Sequence, residues 1–143
     1  RAKALAALAP RLSPEQQPQV LAEALATAKK IGDEDRRAET LAALAPRLAE
    51  FGYPQEALTT AREIRDQPQR AKALAALASH LAKLPRPVLY SLWDETLPIL
   101  ARRTRRDLLT DLGALAPVIV ALGGAKALAE TARAIQDAAR WWP

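Results

Sequence analysis

The sequence has no cysteine, a single histidine and only 4% aromatic residues. Without cysteine the chain can form neither a disulfide nor a thiolate metal site. Its 50% hydrophobic content is mostly alanine and leucine, which favour helices, and the residues that favour strands are scarce. No apolar run approaches the ~20 residues of a membrane-spanning helix, and no signal peptide is visible. We therefore expect an all-α chain that does not enter a membrane.

One nine-residue segment recurs along the chain. Arg1–Ala9 and Arg70–Ala78 are identical, Arg37–Ala45 differs from them at two positions, and a weaker copy ends in Leu112–Pro117. Leucines within each copy follow the i, i+3, i+7 spacing of a helical stripe. Each copy is therefore predicted to be the first helix of a repeating unit.

A second segment repeats with the same period. Glu23–Ile31 resembles Glu56–Ile64, which lies 33 positions later, and a fainter copy covers residues 132–135. Two-helix units of this length are typical of tetratricopeptide-type hairpins. We expect one all-α domain, a tetratricopeptide-like α/α solenoid of about four hairpins. Its predicted units are about 1–35, 36–69, 70–104 and 105–143.

Capping residues and breakers predict the helix boundaries. Predicted starts carry a capping side chain or an early proline, at Ser13 or Pro18, Asp33 or Asp35, Pro54, Asp66 and Thr104. Gly123-Gly124 is predicted to end the first helix of the fourth unit, whose leucine stripe begins at Leu108. Pro98 is predicted to kink the helix that contains it.

Two tryptophans near the end of the chain are interpreted as a C-terminal cap. A repeat array needs a lid over its last exposed hydrophobic face. Trp141 occupies the repeat position that Arg37 and Arg70 hold in the second and third units, and Trp142 follows it. A purely structural alternative lets both rings pack against a second copy. Because the chain begins at a repeat boundary without methionine, we also expect it to be a fragment.

The sequence offers no convincing catalytic, cofactor or metal site. His80 stands where other units carry Arg11 and Arg47, with no evident catalytic partner. The acidic run 33–35 lacks the glycine and distal glutamate of a calcium loop, and residues 123–126 lack the pattern of a phosphate loop. We expect a protein that is not an enzyme and that binds neither cofactor nor small-molecule substrate.

Partner binding is predicted at polar positions that vary between the first helices while the leucine stripe does not. These positions are Lys3, Arg11, Glu39, Arg47, Lys72 and His80. In a superhelix of hairpins the first helices line the concave face, so we expect this face to hold a protein or peptide partner.

The excess positive charge is unevenly distributed. The net charge is +5, and residues 70–104 hold six basic and two acidic residues. The dense cluster Arg102, Arg103, Arg105 and Arg106 gives a second hypothesis, binding of nucleic acid or another anionic surface. A solvated loop between helices explains the cluster as well, and no aromatic residue interleaves with it as a stacking platform for single strands requires.

Several motifs in the C-terminal half support a family resemblance. They are Trp93–Leu97, Asp107–Leu109, Leu115–Pro117, Ala134–Asp137 and Arg140–Pro143. With the alanine-leucine repeats, they resemble the C-terminal repeat regions of bacterial STAND-type signal-transduction NTPases, which carry a NACHT or NB-ARC core upstream. The resemblance implies a cytoplasmic sensor or superstructure-forming arm that holds a partner or trigger. No phosphate loop occurs in the 143 residues, so we expect no nucleotide hydrolysis.

Overall fold

The computed structural model describes residues 1–141, apart from the side chain of Ala6. Regular structure in this range is entirely helical, with no strand, which confirms the all-α prediction. The helices are α1 (Ala2–Leu8), a 3-10 helix (Ala9–Arg11), α2 (Gln17–Lys29), α3 (Glu34–Glu50), α4 (Pro54–Glu63), α5 (Gln67–Leu81), α6 (Arg86–Leu100), α7 (Arg105–Ala114) and α8 (Ala116–Ala139).

Three of the odd-numbered helices begin at the predicted capping residues. The Asp33 carboxylate accepts a hydrogen bond from the third backbone N–H beyond it at 2.8 Å, and Asp66 does the same at 3.0 Å. The Thr104 hydroxyl accepts the equivalent N–H at 3.2 Å. Each cap satisfies one of the N–H groups that have no partner within the helix.

The start of α2 decides between the two predicted alternatives. Ser13 does not cap this helix, because its carbonyl accepts the N–H groups of Gln16 and Gln17 in a turn that precedes the helix. The helix begins at Gln17, with Pro18 in its first turn. The start at Ser13 is therefore wrong and the start near Pro18 is correct.

The fourth unit departs from the expected continuous first helix. The chain bends by 76° between α7 and α8, so the predicted stripe from Leu108 to Leu122 is divided between two helices. Pro117 lies in the first turn of α8, where its ring lacks an N–H and disfavours helical geometry in the preceding residue. Within α8, Gly124 is non-helical, with φ of 72°. By contrast, α6 runs through Pro98 without ending.

The odd-numbered helices lie side by side in chain order. Helix α1 packs against α3, α3 against α5, and α5 against α7. Helices α2 and α4 pack against the odd-numbered helices on either side of them, whereas α6 packs against α4 and α8. Equivalent leucines occupy equivalent surroundings in the middle of the molecule, where Leu41 and Leu74 are both buried, as are Leu44 and Leu77. The core thus follows the repeat of the sequence.

The predicted tryptophan cap is wrong for the residue that the structure describes. Trp141 is 88% exposed, and its backbone N–H donates to the carbonyl of Ala138 in a turn that extends α8. The ring therefore lies in solvent and covers no hydrophobic face of the row of helices. Trp142 lies outside the described residues.

Candidate partner-binding face

The structure aligns three of the predicted binding residues across three helices. Lys3, Glu39 and Lys72 hold the same repeat position on α1, α3 and α5, and all three are exposed. Lys3 Nζ lies 2.7 Å from Glu39 Oε1. The hydrogen bond from Lys3 lowers the pKa of Glu39, and the positive charge of Lys72 acts in the same direction. These side chains therefore form one row of interacting charges.

A row of small side chains runs beside the charged row. Ala7, Ala43 and Ala76 lie one helical turn beyond it, and all three are exposed. Between α1 and α3 this surface forms a groove of about 250 Å³, lined by Ala7, Ala43 and Leu44 with Lys3 and Arg47 at its polar margin. Because alanine adds only a methyl group, a bound chain can approach the helix backbones closely.

The third row consists of Arg11, Arg47 and His80, two turns beyond the charged row. Arg11 and Arg47 are exposed and His80 is half-buried. Arg11 lies in the 3-10 helix that follows α1, so its register differs from that of Arg47 in the last turn of α3. We name the surface formed by the three rows the alanine face, with residues 3, 7, 11, 39, 43, 47, 72, 76 and 80.

The charges of the alanine face remain accessible to a ligand. Arg47 Nη1 pairs with Glu50 at 2.8 Å, and Lys3 pairs with Glu39, all through side chains that are more than a third exposed. Solvent-exposed ion pairs contribute only about 0.2–1 kcal/mol. A carboxylate on a partner can therefore exchange with these acidic groups at little cost.

The four clustered arginines do not form one exposed patch. Arg102 and Arg106 are exposed, whereas Arg103 and Arg105 are half-buried. Arg103 donates to the carbonyl of Arg62 in the last turn of α4, where carbonyls have no intrahelical partner. Desolvation lowers the pKa of the Arg103 guanidinium. Arg103 therefore caps a neighbouring helix, while Arg102 and Arg106 remain exposed, and binding of an anionic surface by this cluster stays a prediction.

Arg105 lies on a mainly apolar groove instead. The groove measures about 350 Å³ and is formed by α6, α7 and the second half of α8, with Trp93, Leu108 and Ile135 among its walls. Its position between three helices of the chain marks it as the incompletely filled interior of the fourth unit.

A buried ion pair was missed by the sequence analysis. Arg70 and Asp111 are both fully buried, with Nε and Oδ2 2.8 Å apart. Arg70 also donates to the carbonyls of Ile64 at 3.1 Å and Arg65 at 3.2 Å, and Asp107 lies 3.7 Å from its Nη2. Burial raises the pKa of Asp111, and the hydrogen bond from Arg70 opposes that rise. The pair links the end of α4, α5 and α7.

Two sequence signals could have indicated this pair. An isoleucine precedes the repeat arginine by six positions at both boundaries, and Arg37 donates to the carbonyl of Ile31 just as Arg70 does to that of Ile64. Asp111 is the acidic residue at a position that is alanine or threonine in the other three copies. Since neither partner is exposed, the pair holds helices together and offers no atom to a ligand.

Residues 1–141 were also searched for metal sites and for membrane-spanning helices. No group of three or more His, Asp or Glu side chains in this range is placed to hold a metal ion. No single helix there combines the length and apolar character needed to cross a bilayer, although α7 and α8 together meet the criteria as a pair bent by 76°.

The chain was compared with protein-family models, with curated proteins and with solved structures, and no significant match was found in any of the three.

Proposed function

We propose that the protein is a non-catalytic protein-interaction module built as a tetratricopeptide-like α/α solenoid. The successive packing of α1, α3, α5 and α7 supports this architecture, as does the equal burial of equivalent leucines in α3 and α5. In such arrays each hairpin buries its apolar face against its neighbours, and the outward positions are left for recognition.

The alanine face is the proposed binding surface, and an acidic peptide segment is the proposed partner. The observation that carries this proposal is the alignment of the three rows on successive helices, with exposed alanines between charged rows. Five of the six predicted residues on this face are basic or histidine, so the face complements a negatively charged segment.

The wider role proposed is that of a C-terminal superstructure-forming arm of a STAND-type NTPase, which would hold a partner or trigger in the bacterial cytoplasm. This step rests on the motifs in the C-terminal half and on the repeat pattern. The NTPase core of such a protein would lie outside these 143 residues, so the activity assigned to this chain is binding.

The test is a peptide-display selection on the wild-type protein, followed by affinity measurements on charge-reversal variants. The triple variant Arg11→Glu, Arg47→Glu, Lys72→Glu reverses three of the four lysine and arginine charges of the alanine face and leaves Lys3 paired with Glu39. Acidic peptides selected on the wild type should bind this variant at least tenfold more weakly, because each lost charge contact contributes about 0.5 kcal/mol or more.

A matched control is the triple variant Lys83→Glu, Arg102→Glu, Arg106→Glu, which makes the same charge change at exposed positions elsewhere. It should keep wild-type affinity at equal ionic strength. Selected peptides that bind both variants as tightly as the wild type would show that the alanine face is not the binding surface. Loss of binding in the control alone would favour the arginine-rich turn before α7.

A further inference from the structure

The repeat places grooves at two equivalent positions, one between α2 and α4 and the other between α4 and α6. Leu25 and Leu48 line the first groove. The leucines 33 positions later, Leu58 and Leu81, line the second. The first groove measures about 200 Å³ and the second only about 10 Å³. Two copies of one surface are therefore open in one place and closed in the other.

The side chains of α6 explain why the second groove is closed. Leu89, Leu92 and Trp93 line it, and both of these leucines are buried. In α4 the position of Leu89 is held by Glu56, which lies 33 positions earlier and is exposed. Because a charged side chain is rarely buried without a partner, glutamate at this position leaves the first groove open and places a carboxylate at its margin.

The open groove is apolar except at this margin. Leu21 and Leu48 are buried among its walls, and Leu25 is half-buried. Tyr53, at the start of α4, and Glu56 supply its polar side-chain atoms. Sites for drug-sized ligands usually measure about 300–1,000 Å³. The groove therefore has room for one long side chain and not for a larger ligand.

The carboxylate of Glu56 has no hydrogen-bond or ion-pair partner within residues 1–141. The residues three and four positions later in the helix, Thr59 and Thr60, carry no positive charge. By contrast, Glu23 holds the same repeat position in the preceding unit and pairs with Arg1 at 3.3 Å. A carboxylate at this repeat position can therefore be reached by a guanidinium, and that of Glu56 is available for one.

We propose that this groove binds an arginine side chain of a partner protein segment. The methylene groups of arginine would pack along the apolar walls. The guanidinium would pair with the carboxylate of Glu56, which its fork of N–H groups matches, and the ring of Tyr53 offers it a surface for stacking. Lysine fits less well, because its ammonium group is more strongly hydrated and lacks the planar fork.

This site is separate from the alanine face and has the opposite charge preference. Its walls come mostly from α2 and α4, whereas the alanine face lies along α1, α3 and α5 and shares no residue with it. The basic rows of the alanine face would repel an arginine peptide. Either proposal can therefore fail while the other stands.

The test is an NMR titration of the full chain with a short capped peptide that carries one arginine between alanines. The methyl signals of Leu25 and Leu48 should shift, whereas those of Leu58 and Leu81 in the closed groove should not. The same peptide with citrulline, which keeps the shape of arginine and lacks its charge, should bind about fivefold more weakly because it forfeits an ion pair.

Two variants probe the carboxylate and the groove separately. Glu56→Gln should weaken binding of the arginine peptide about fivefold, the upper end of what an exposed ion pair contributes. Ala22→Leu should also weaken it, because Ala22 lines the groove and a larger side chain would occupy part of its volume. The matched control, Glu130→Gln on the second half of α8, should bind like the wild type. All three positions are exposed, so circular dichroism should show wild-type helix content.

Three results would overturn the proposal. The first is the absence of shifts at Leu25 and Leu48 at any concentration of the arginine peptide. The second is equal affinity for the arginine and citrulline peptides. The third is binding that Glu56→Gln weakens and Ala22→Leu leaves unchanged, because the arginine would then contact an exposed carboxylate without entering the groove.

Discussion

At the scale of single residues, the repeat arginine shows how neighbours change the role of one side chain. The side chain of Arg1 is 77% exposed and that of Arg37 is 25% exposed, whereas Arg70 is fully buried. Arg37 and Arg70 share the bond to a carbonyl at the end of the preceding helix. Only Arg70 meets an aspartate from the following odd-numbered helix, which is the partner that allows full burial of the charge.

Removal of one partner of this ion pair should destabilise the fold. Asp111→Ala would remove the carboxylate that pairs with Arg70 Nε and leave only Asp107, 3.7 Å from Nη2, so the free energy of unfolding should fall by about 3 kcal/mol. Urea unfolding followed by circular dichroism measures the change. A loss below about 1 kcal/mol would mean that water reaches the guanidinium once the carboxylate is gone.

The double variant Arg70→Leu, Asp111→Ala is the matched control. Both new residues occur at the equivalent positions of other repeats, as Leu108 and Ala73. Replacement of a buried ion pair by packed apolar groups is often neutral or stabilising, so the double variant should recover most of the lost stability. A double variant as unstable as Asp111→Ala would contradict the interpretation that an unpaired charge causes the loss.

At the scale of helices, glycine and proline decide where the fourth unit departs from the repeat. Pro117 lies in the first turn of α8, close to a bend of 76°. Gly124 adopts a φ of 72° with ψ of −173°, a backbone conformation that residues other than glycine avoid. Gly113 lies within α7 instead and has ordinary helical surroundings. The two glycines therefore serve different purposes, although both occur in the same unit.

The same substitution at these two glycines should have opposite effects. Gly124→Ala should lower the free energy of unfolding by about 1–3 kcal/mol, because alanine is strained at this backbone conformation. Gly113→Ala should raise it by up to about 1 kcal/mol, since alanine has the higher helix propensity and a Cβ there meets no atom. Thermal unfolding of both variants under identical conditions measures the two effects. Equal effects of the same sign would show that the backbone of Gly124 is not constrained.

At the scale of the whole molecule, the described helices at the two ends of the row bury fewer side chains than those in the middle. The most deeply buried leucines include Leu44 on α3 and Leu74, Leu77 and Leu81 on α5. The ends have fewer partners, as α1 leaves Leu8 half exposed and α8 has no buried residue after Ile119. In a linear array each element is stabilised mainly by its nearest neighbours, so elements at the ends open most easily.

Hydrogen exchange should follow this order. The amides of α3 and α5 should exchange most slowly, and those of residues 125–139 should exchange fastest among the helices because no buried side chain anchors them. Exchange followed by mass spectrometry of peptides measures the order. Equal protection of residues 125–139 and α5 would mean that the molecule unfolds as one cooperative unit.

The features of the fold that could be predicted are those set by residues close together in the sequence. Alanine and leucine content predicted helices, the leucine spacing predicted their buried stripes, and Asp33, Asp66 and Thr104 marked helix starts. These features depend on residues within a few positions of each other, and hence they can be read in sequence order. The outward rows of the alanine face follow from the same helical period.

The amino-acid sequence by itself determined where helices form and which stripe of each is apolar, since both follow from neighbouring residues. Only the tertiary structure decided which copies are covered: Arg70 is buried and Arg1 exposed, although the nine residues that contain them are identical. It also left Trp141 in solvent and turned Arg103 to the end of α4. The physical reason is that burial and pairing depend on helices that are distant in the chain, and a repeated segment carries no information about whether a neighbour is present.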